Sequence, residues 1–175
     1  MSVGSLKPRK GLRALISSLK HPDASDLPLI IVGPDSWAGV SVASIVAEAG
    51  LPEGRVRTLG FLTDADLAVV LDRASVFVFP SLAEGFGLPV VEAFHFGTPV
   101  VHSDDAAVLE VAADAGITVT REDAEGYPAR LAEAISAVVN DSALAERLRF
   151  KGLDRAQAFS WRDSAQKVWQ LHADL

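Results

Sequence analysis

The sequence predicts an α/β fold: a doubly wound parallel sheet of about six strands with helices on both faces. Three observations carry this. Short apolar runs such as Val76 Phe77 Val78 Phe79 read as strands buried on both faces, because they do not alternate with polar residues. Stretches with apolar residues at helical spacing lie between those runs, as crossover connections between parallel strands require. Glycine-containing and Asp-containing turns separate the two kinds of segment without a linker, a low-complexity tract or an internal repeat, so residues 1–175 read as a single domain.

Met1 to Leu6 is expected to form a short first strand. Gly11 to Leu19 follows as a helix, since Leu12, Leu15, Ile16 and Leu19 share one face. A polar connection, Pro22 to Leu27, leads into a second strand, Leu29 to Val32, closed by the turn Gly33 Pro34 Asp35. A helix is predicted from about Val40 to Ala49, ended by Gly50, and a third strand from Val56 to Leu59, closed by Gly60. Asp64 reads as the N-cap of a helix over Ala65 to Ala74, with Leu67, Val70 and Leu71 facing inward. After the strand at Val76 comes a helix from Val90 to Phe96, then a strand over Val100 to His102. The turn Ser103 Asp104 Asp105 precedes a short helix around Val108 to Ala112, and Ile117 to Val119 is the last strand. Helices over Pro128 to Val139, Ser142 to Ala156 and Trp161 to about His172 complete the chain, with Asp141 and Ser160 as caps.

Composition narrows the function classes. With 49% hydrophobic residues in 175 positions there is ample material for one core. No apolar run approaches the ~20 residues of a membrane span, and the basic start has no signal-peptide pattern, so a soluble, cytoplasmic protein is expected. The absence of cysteine excludes disulfides and thiolate metal sites. A formal charge of -7 argues against a nucleic-acid surface, although Lys7, Arg9, Lys10 and Arg13 make the beginning locally basic.

The stretch around which the chain is organised is Pro80 to Pro99, PSLAEGFGLPVVEAFHFGTP. A buried strand stops at Pro80, and the glycine turn Glu84 Gly85 Phe86 Gly87 follows. A helix then begins with Pro89 in its first turn, where a missing N–H costs nothing. Strand, glycine loop and helix N-terminus together expose backbone N–H groups and the positive end of a helix dipole, a setting that favours an anion such as phosphate. Glu84 lies in the loop, and Glu92 is expected in the first turn of the helix. In open parallel sheets this crevice, beyond the carboxyl ends of the strands, is where ligands bind.

The run Glu84 Gly85 Phe86 Gly87 Leu88 Pro89 Val90 Val91 Glu92 Ala93, with Gly97 Thr98 Pro99 Val100 Val101 behind it, resembles the E-x7-E signature of retaining glycosyltransferases of family 4. The flanks resemble that family as well. Val3 Gly4 Ser5 Leu6 Lys7 Pro8 Arg9 Lys10 Gly11 is similar to its glycine and lysine segment, Gly60 Phe61 Leu62 to the start of its base-binding loop, and Phe159 Ser160 Trp161 to its last helix start. The resemblance covers nearly the whole chain and implies a Rossmann-like domain, the C-terminal, donor-binding half of a GT-B architecture. It also implies that the N-terminal acceptor domain is absent, so that this chain holds half of an active site.

Residue roles follow from the resemblance. Glu92 would hold the ribose hydroxyls; read alone, it is a glutamate complementing a helix dipole. Glu84 would lie near the hydroxyls of the donor sugar and the reacting face. The amides of Phe86, Gly87 and Leu88 would donate to sugar hydroxyls and the distal phosphate, while the Phe86 ring is equally read as an anchor for the loop. Lys10 would neutralise the diphosphate, with Arg9 assisting or facing solvent. Gly4 belongs to the glycine segment, and the Leu62 backbone, with Leu67 more weakly, matches a position near the base. Ser5 stands where the family often has arginine, which removes one cation from the phosphate site. His95 and His102 have no second ligand at useful spacing and read as structural. Asp104, Asp105 and Glu110 read as turn and helix caps. No metal and no cofactor are implied; the substrate would be a UDP- or GDP-linked sugar. A non-catalytic nucleotide-sugar-binding module, or one subunit of a split transferase, is the alternative, with an epimerase or phosphorylase of the same architecture behind it.

Overall fold

The computed structural model describes residues 1–173. Its strands and helices run in the order β1 (Ser2–Val3), α1 (Leu12–Ser18), β2 (Leu29–Val32), β3 (Ser36–Trp37), β4 (Val40–Ser41), α2 (Val42–Glu48), β5 (Val56–Thr58), α3 (Asp64–Asp72), β6 (Phe77–Phe79), α4 (Leu88–His95), β7 (Val100–Ser103), α5 (Ala106–Ala112), β8 (Ile117–Val119), α6 (Tyr127–Asn140), α7 (Ser142–Ala156) and α8 (Trp161–Ala173). A 3-10 turn, Pro8–Lys10, lies between β1 and α1.

Two parallel three-stranded units, β1-β2-β5 and β6-β7-β8, make up the sheet. Met1 joins them at the centre: its amino group donates to the Val76 carbonyl at 2.7 Å, and its carbonyl accepts from the Val78 amide at 2.8 Å. Counting only sheet strands, the order is 3-2-1-4-5-6, with a topological switch between β1 and β6. The predicted α/β fold with parallel strands and flanking helices is what the structure has.

The lack of alternation in the strands is explained by burial on both faces. Phe77 and Phe79 point into one core layer with Val90, Val91, Ala93 and Phe94 of α4 and Val108 and Val111 of α5. Val76, Val78 and Val101 point the other way, against Leu12, Leu15 and Ile16 of α1 and Leu131 and Val138 of α6. Phe77, Phe79 and Phe94 are essentially inaccessible, and each contributes about 1.5–3 kcal/mol of apolar burial.

Four local expectations are corrected. The first strand spans only Ser2–Val3, because the chain turns into the proline-led 3-10 segment at Pro8. The helix expected from Val40 begins at Val42; ahead of it β3 and β4 form an antiparallel hairpin whose turn places Ala38 and Gly39 at positive φ. Ser41 caps that helix, its hydroxyl accepting from the Ser44 amide while the Ser44 hydroxyl accepts from the Ser41 amide. Thr63, not Asp64, caps α3: its hydroxyl accepts from the Asp66 amide, and Asp64 is the first helical residue. Finally, α4 starts at Leu88 rather than Val90, so Glu92 falls in its second turn.

No helix among the described residues is long and apolar enough to cross a membrane.

Candidate functional site

The turns that follow β1, β2, β5 and β6 meet beyond the carboxyl ends of the strands. Gly4 donates to the Val32 carbonyl at 2.9 Å, and Gly33 donates to the Gly60 carbonyl at 2.8 Å, drawing three of these turns together. The aliphatic stem of Lys10 lies over Gly4. Gly11, at φ 66°, lets the 3-10 turn press against the chain after β6, since a Cβ at this position would run into the Pro80 carbonyl. The Leu82 amide then donates to the Arg9 carbonyl at 2.6 Å. Backbone contact thus holds Arg9 and Lys10 beside the loop that carries Glu84.

That contact assembles a charged cluster. Lys10 Nζ donates to Glu84 Oε1 at 2.6 Å, and Arg9 Nη1 donates to Glu84 Oε2 at 3.3 Å and to the Ala83 carbonyl at 3.0 Å. The Glu84 side chain is only 9% exposed and that of Lys10 19%, whereas Arg9 is half exposed. The Lys10 ammonium also stands 5.6 Å from the centroid of the Phe79 ring, within cation–π reach. Burial alone would raise the Glu84 carboxyl; hydrogen bonds from Lys10 and Ser81 and the charges of Lys10 and Arg9 together outweigh it and hold the group below its ordinary range. Glu84 is therefore a carboxylate across the neutral range, and the cluster carries a net positive charge.

The loop then enters α4 through Gly87, the N-cap, at φ 105°. This left-handed geometry suits glycine. No carbonyl among the described residues accepts from the Phe86 or Gly87 amides, and the Leu88 amide, first in the helix, is one of the donors that a helix leaves without an internal partner. Leu88 itself is half exposed. The Phe86 ring, 45% exposed, sits edge-on to Phe159 at 5.8 Å, and the Arg155 guanidinium lies 5.0 Å from the Phe159 centroid. The Phe86 ring is therefore held from the segment before α8, through Phe159, which itself packs against the core.

Glu92 is exposed and has no hydrogen-bond or ion-pair partner among the described residues. Its place in the second turn removes most of the dipole explanation, which fades beyond the first turn. Partial burial raises its carboxyl, and the charge of Asp64 adds to that rise while His95 opposes it. Asp64, whose charge acts on Glu92, is the first residue of α3 and directly follows the turn after β5. In that turn Leu62 packs against the core, as Leu67 does, while Phe61 is 84% exposed. Phe61 is the most exposed large apolar side chain of that turn, and its signal in the sequence was an aromatic directly after the strand-closing Gly60.

The histidines serve the fold. His95 Nδ1 bonds the Val91 carbonyl one turn back at 2.9 Å. His102, fully buried in β7, bonds the Ser103 carbonyl through Nδ1 at 2.8 Å, and burial lowers its pKa. Asp105 caps α5 by accepting from the Ala107 and Val108 amides. Asp104 instead pairs with Arg121; burial would raise its carboxyl, but the bonds and charge of Arg121 outweigh burial and lower it. The Glu110 side chain is exposed. An apolar cavity of about 430 Å³, lined by Met1, Leu29, Ile30 and Val76 among others, lies at the amino ends of the strands, the opposite end from Glu84, and so is separate from this site.

The doubly wound sheet thus brings a cation-rich crevice and amides without a carbonyl partner among the described residues to its switch point, the place where ligands of such sheets bind. The chain belongs to the glycosyl transferases group 1 family, whose model matches residues 1–155. It is 34% identical over 164 residues to O-antigen chain mannosyltransferase B of Escherichia coli, covering 92% of this chain and 42% of that protein. It is 37% identical over 180 residues to alpha-maltose-1-phosphate synthase of Mycobacterium tuberculosis, covering 97% of this chain and 46% of the relative. Among solved structures, sucrose-phosphate synthase from Thermosynechococcus elongatus superposes with a TM-score of 0.81 at 31% identity, over 99% of this chain and 45% of that one. HepE of Anabaena, solved in complex with UDP, superposes with a TM-score of 0.85 at 25% identity, over 99% and 48%. The chain therefore spans under half the length of these relatives.

Proposed function

We propose that this chain is the donor-binding half of a retaining glycosyltransferase of family 4, which transfers a sugar from a UDP- or GDP-linked donor to a hydroxyl acceptor in the cytoplasm. The observation that carries the proposal is the cluster of Lys10, Arg9 and Glu84 at the start of the loop into α4, with free amides following it. Lys10 and Arg9 take the diphosphate, whose negative charge grows as the bond to the sugar breaks. Glu84 keeps both cations aimed at the crevice and meets the sugar hydroxyls, while the Phe86, Gly87 and Leu88 amides serve the distal phosphate and sugar. Glu92, unpaired and exposed, accepts from the ribose diol, and the base lies against the turn of Gly60 to Leu62. Gly4 allows the diphosphate to approach the backbone after β1. The acceptor oxygen forms its bond to the anomeric carbon on the face the phosphate leaves, and its proton passes to that phosphate.

The acceptor surface belongs to a second domain in this reading, and turnover needs both. Calorimetric titration with UDP, GDP, ADP and their sugar conjugates, beside Glu92→Ala and Lys10→Ala, tests the donor site. Binding of one nucleotide, weakened roughly 10- to 100-fold in each variant, is expected. If no nucleotide binds to the folded chain, the donor reading fails; turnover on adding an acceptor domain separates the transferase from a module that only binds.

A further inference from the structure

The chain from Pro80 to Ala83, between β6 and Glu84, presents four consecutive carbonyls, and each accepts from a different part of the fold. Pro80 accepts from the Tyr127 hydroxyl of α6 at 3.2 Å, and Ser81 from the Ser103 hydroxyl of β7 at 2.5 Å. Leu82 accepts from the Arg121 guanidinium, and Ala83 from Arg9 at 3.0 Å. Arg121 follows β8 and reaches back across the end of β7. Its Nε donates to Asp104 while its Nη1 donates to Leu82, and its backbone amide bonds both Asp104 oxygens at 3.3 Å. Asp105 Oδ2 lies 4.0 Å from the same Nη1. The guanidinium is thus oriented by one carboxylate and aimed at one carbonyl, an arrangement that a planar fork fixes and that a rotatable ammonium does not.

We infer that Arg121 is a positioning residue of the proposed donor site: by fixing the Leu82 carbonyl against Asp104, it sets the turn that delivers Glu84 to Lys10. The inference rests on the donor reading for its functional meaning, but not for its geometry. Arg121 does not touch Glu84, and the charges that act on that carboxyl are those of Lys10 and Arg9. Its effect on Glu84 therefore passes through the backbone of residues 82–84. Tyr127 and Ser103 hold the two preceding carbonyls, and Arg9 holds the Leu82 amide and the Ala83 carbonyl, so release of the Leu82 carbonyl loosens the loop on the side of Asp104 while its other supports remain.

The test uses Arg121→Lys, which keeps the charge and loses the fork, Arg121→Gln, which loses both, and Tyr127→Phe, which removes one hydroxyl and keeps the ring in the core. Two readouts need no ligand: the titration of the Glu84 carboxyl followed by carbon NMR, and hydrogen exchange at the Leu82 amide. Both arginine variants should move the Glu84 titration up toward its ordinary 4.5 and speed exchange at Leu82 by about 10-fold or more, with Tyr127→Phe nearer to wild type. An unchanged titration in folded Arg121→Lys and Arg121→Gln overturns the inference, and a change in Arg121→Gln alone makes the effect one of charge and overturns it as well. Affinity for UDP-glucose and GDP-mannose relative to UDP and GDP gives the third readout. The sugar-dependent gain should fall about 10-fold in both arginine variants. If wild type binds none of the four, the donor reading falls while the NMR result still decides the clamp. If the variants shift Glu84 yet keep the full gain, Arg121 positions the loop without serving the donor, and the inference falls.

Discussion

Replacing Lys10 by methionine keeps most of the stem that lies over Gly4 and removes the ammonium, leaving the Glu84 carboxylate, 9% exposed, without its 2.6 Å bond. A charge-assisted bond in so shielded a place is worth about 2–3 kcal/mol when one partner is removed, and Arg9, half exposed and 3.3 Å away, offsets little of it. Glu84→Gln should cost less, about 1–2 kcal/mol, because the Lys10 side chain is 19% exposed and its ammonium can turn to water. The double variant should then be about 1.5–2.5 kcal/mol more stable than the sum of the two losses implies. In a chain of this length each kcal/mol moves the melting temperature by roughly 2–4 °C, so Lys10→Met should melt roughly 4–12 °C below wild type. Urea denaturation as a function of pH adds an independent arm. The folded-state pKa of Glu84 lies below its ordinary 4.5, so the folded protein binds fewer protons than the unfolded chain in that window. The stabilisation is complete above pH 4.5 and is lost as pH falls through the lowered folded value; Glu84→Gln should lack this loss. A coupling energy under about 0.5 kcal/mol, the level of exposed pairs, together with parallel acid curves for wild type and Glu84→Gln, would refute the reasoning.

Three further expectations come from single positions. Gly11→Ala drives a Cβ into the Pro80 carbonyl from a positive φ, and should lose about 2–4 kcal/mol by urea denaturation; a loss below ~0.5 kcal/mol would mean that the two turns separate freely. Glu92→Gln removes a carboxyl raised by partial burial and by Asp64, so its melting temperature should hold or rise slightly while nucleotide affinity falls about 10-fold or more; a clear drop in melting temperature would make Glu92 a structural residue. Asp105→Ala frees the Ala107 and Val108 amides and should cost about 1 kcal/mol, with faster hydrogen exchange confined to the first turn of α5.

The alternation of strands and helices was readable because burial on both faces writes itself into Phe77 to Phe79 and Val100 to Val101 as unbroken apolar runs. The glycine turn from Glu84 to Gly87 was readable as well, since glycines mark backbone that must come close or turn left-handed, whereas the contact of Lys10 with Glu84, 74 residues apart, left no mark in the sequence. The hairpin at Trp37 was not: its turn uses Ala38 at φ 49°, a residue with no turn signature, in front of Gly39. Thr63 and Asp64 are both good caps, and the choice between them depends on which amide is within reach. Arg121 was hidden for a different reason. Its partner is a carbonyl 39 residues earlier, and a sequence carries no mark of which main-chain oxygen a side chain will find.

The join at Met1 also gives the crevice a mechanical meaning. Lys10 and Arg9 descend from the half of the sheet built on β1, β2 and β5, while Glu84 and α4 belong to the half built on β6, β7 and β8. An anion gripped from both sides is a brace across the seam between them. By mass action such a ligand at about 100 times its Kd adds about 2.7 kcal/mol to the stability of the folded chain. If the crevice takes the proposed donor, the melting temperature of this domain rises with its occupancy.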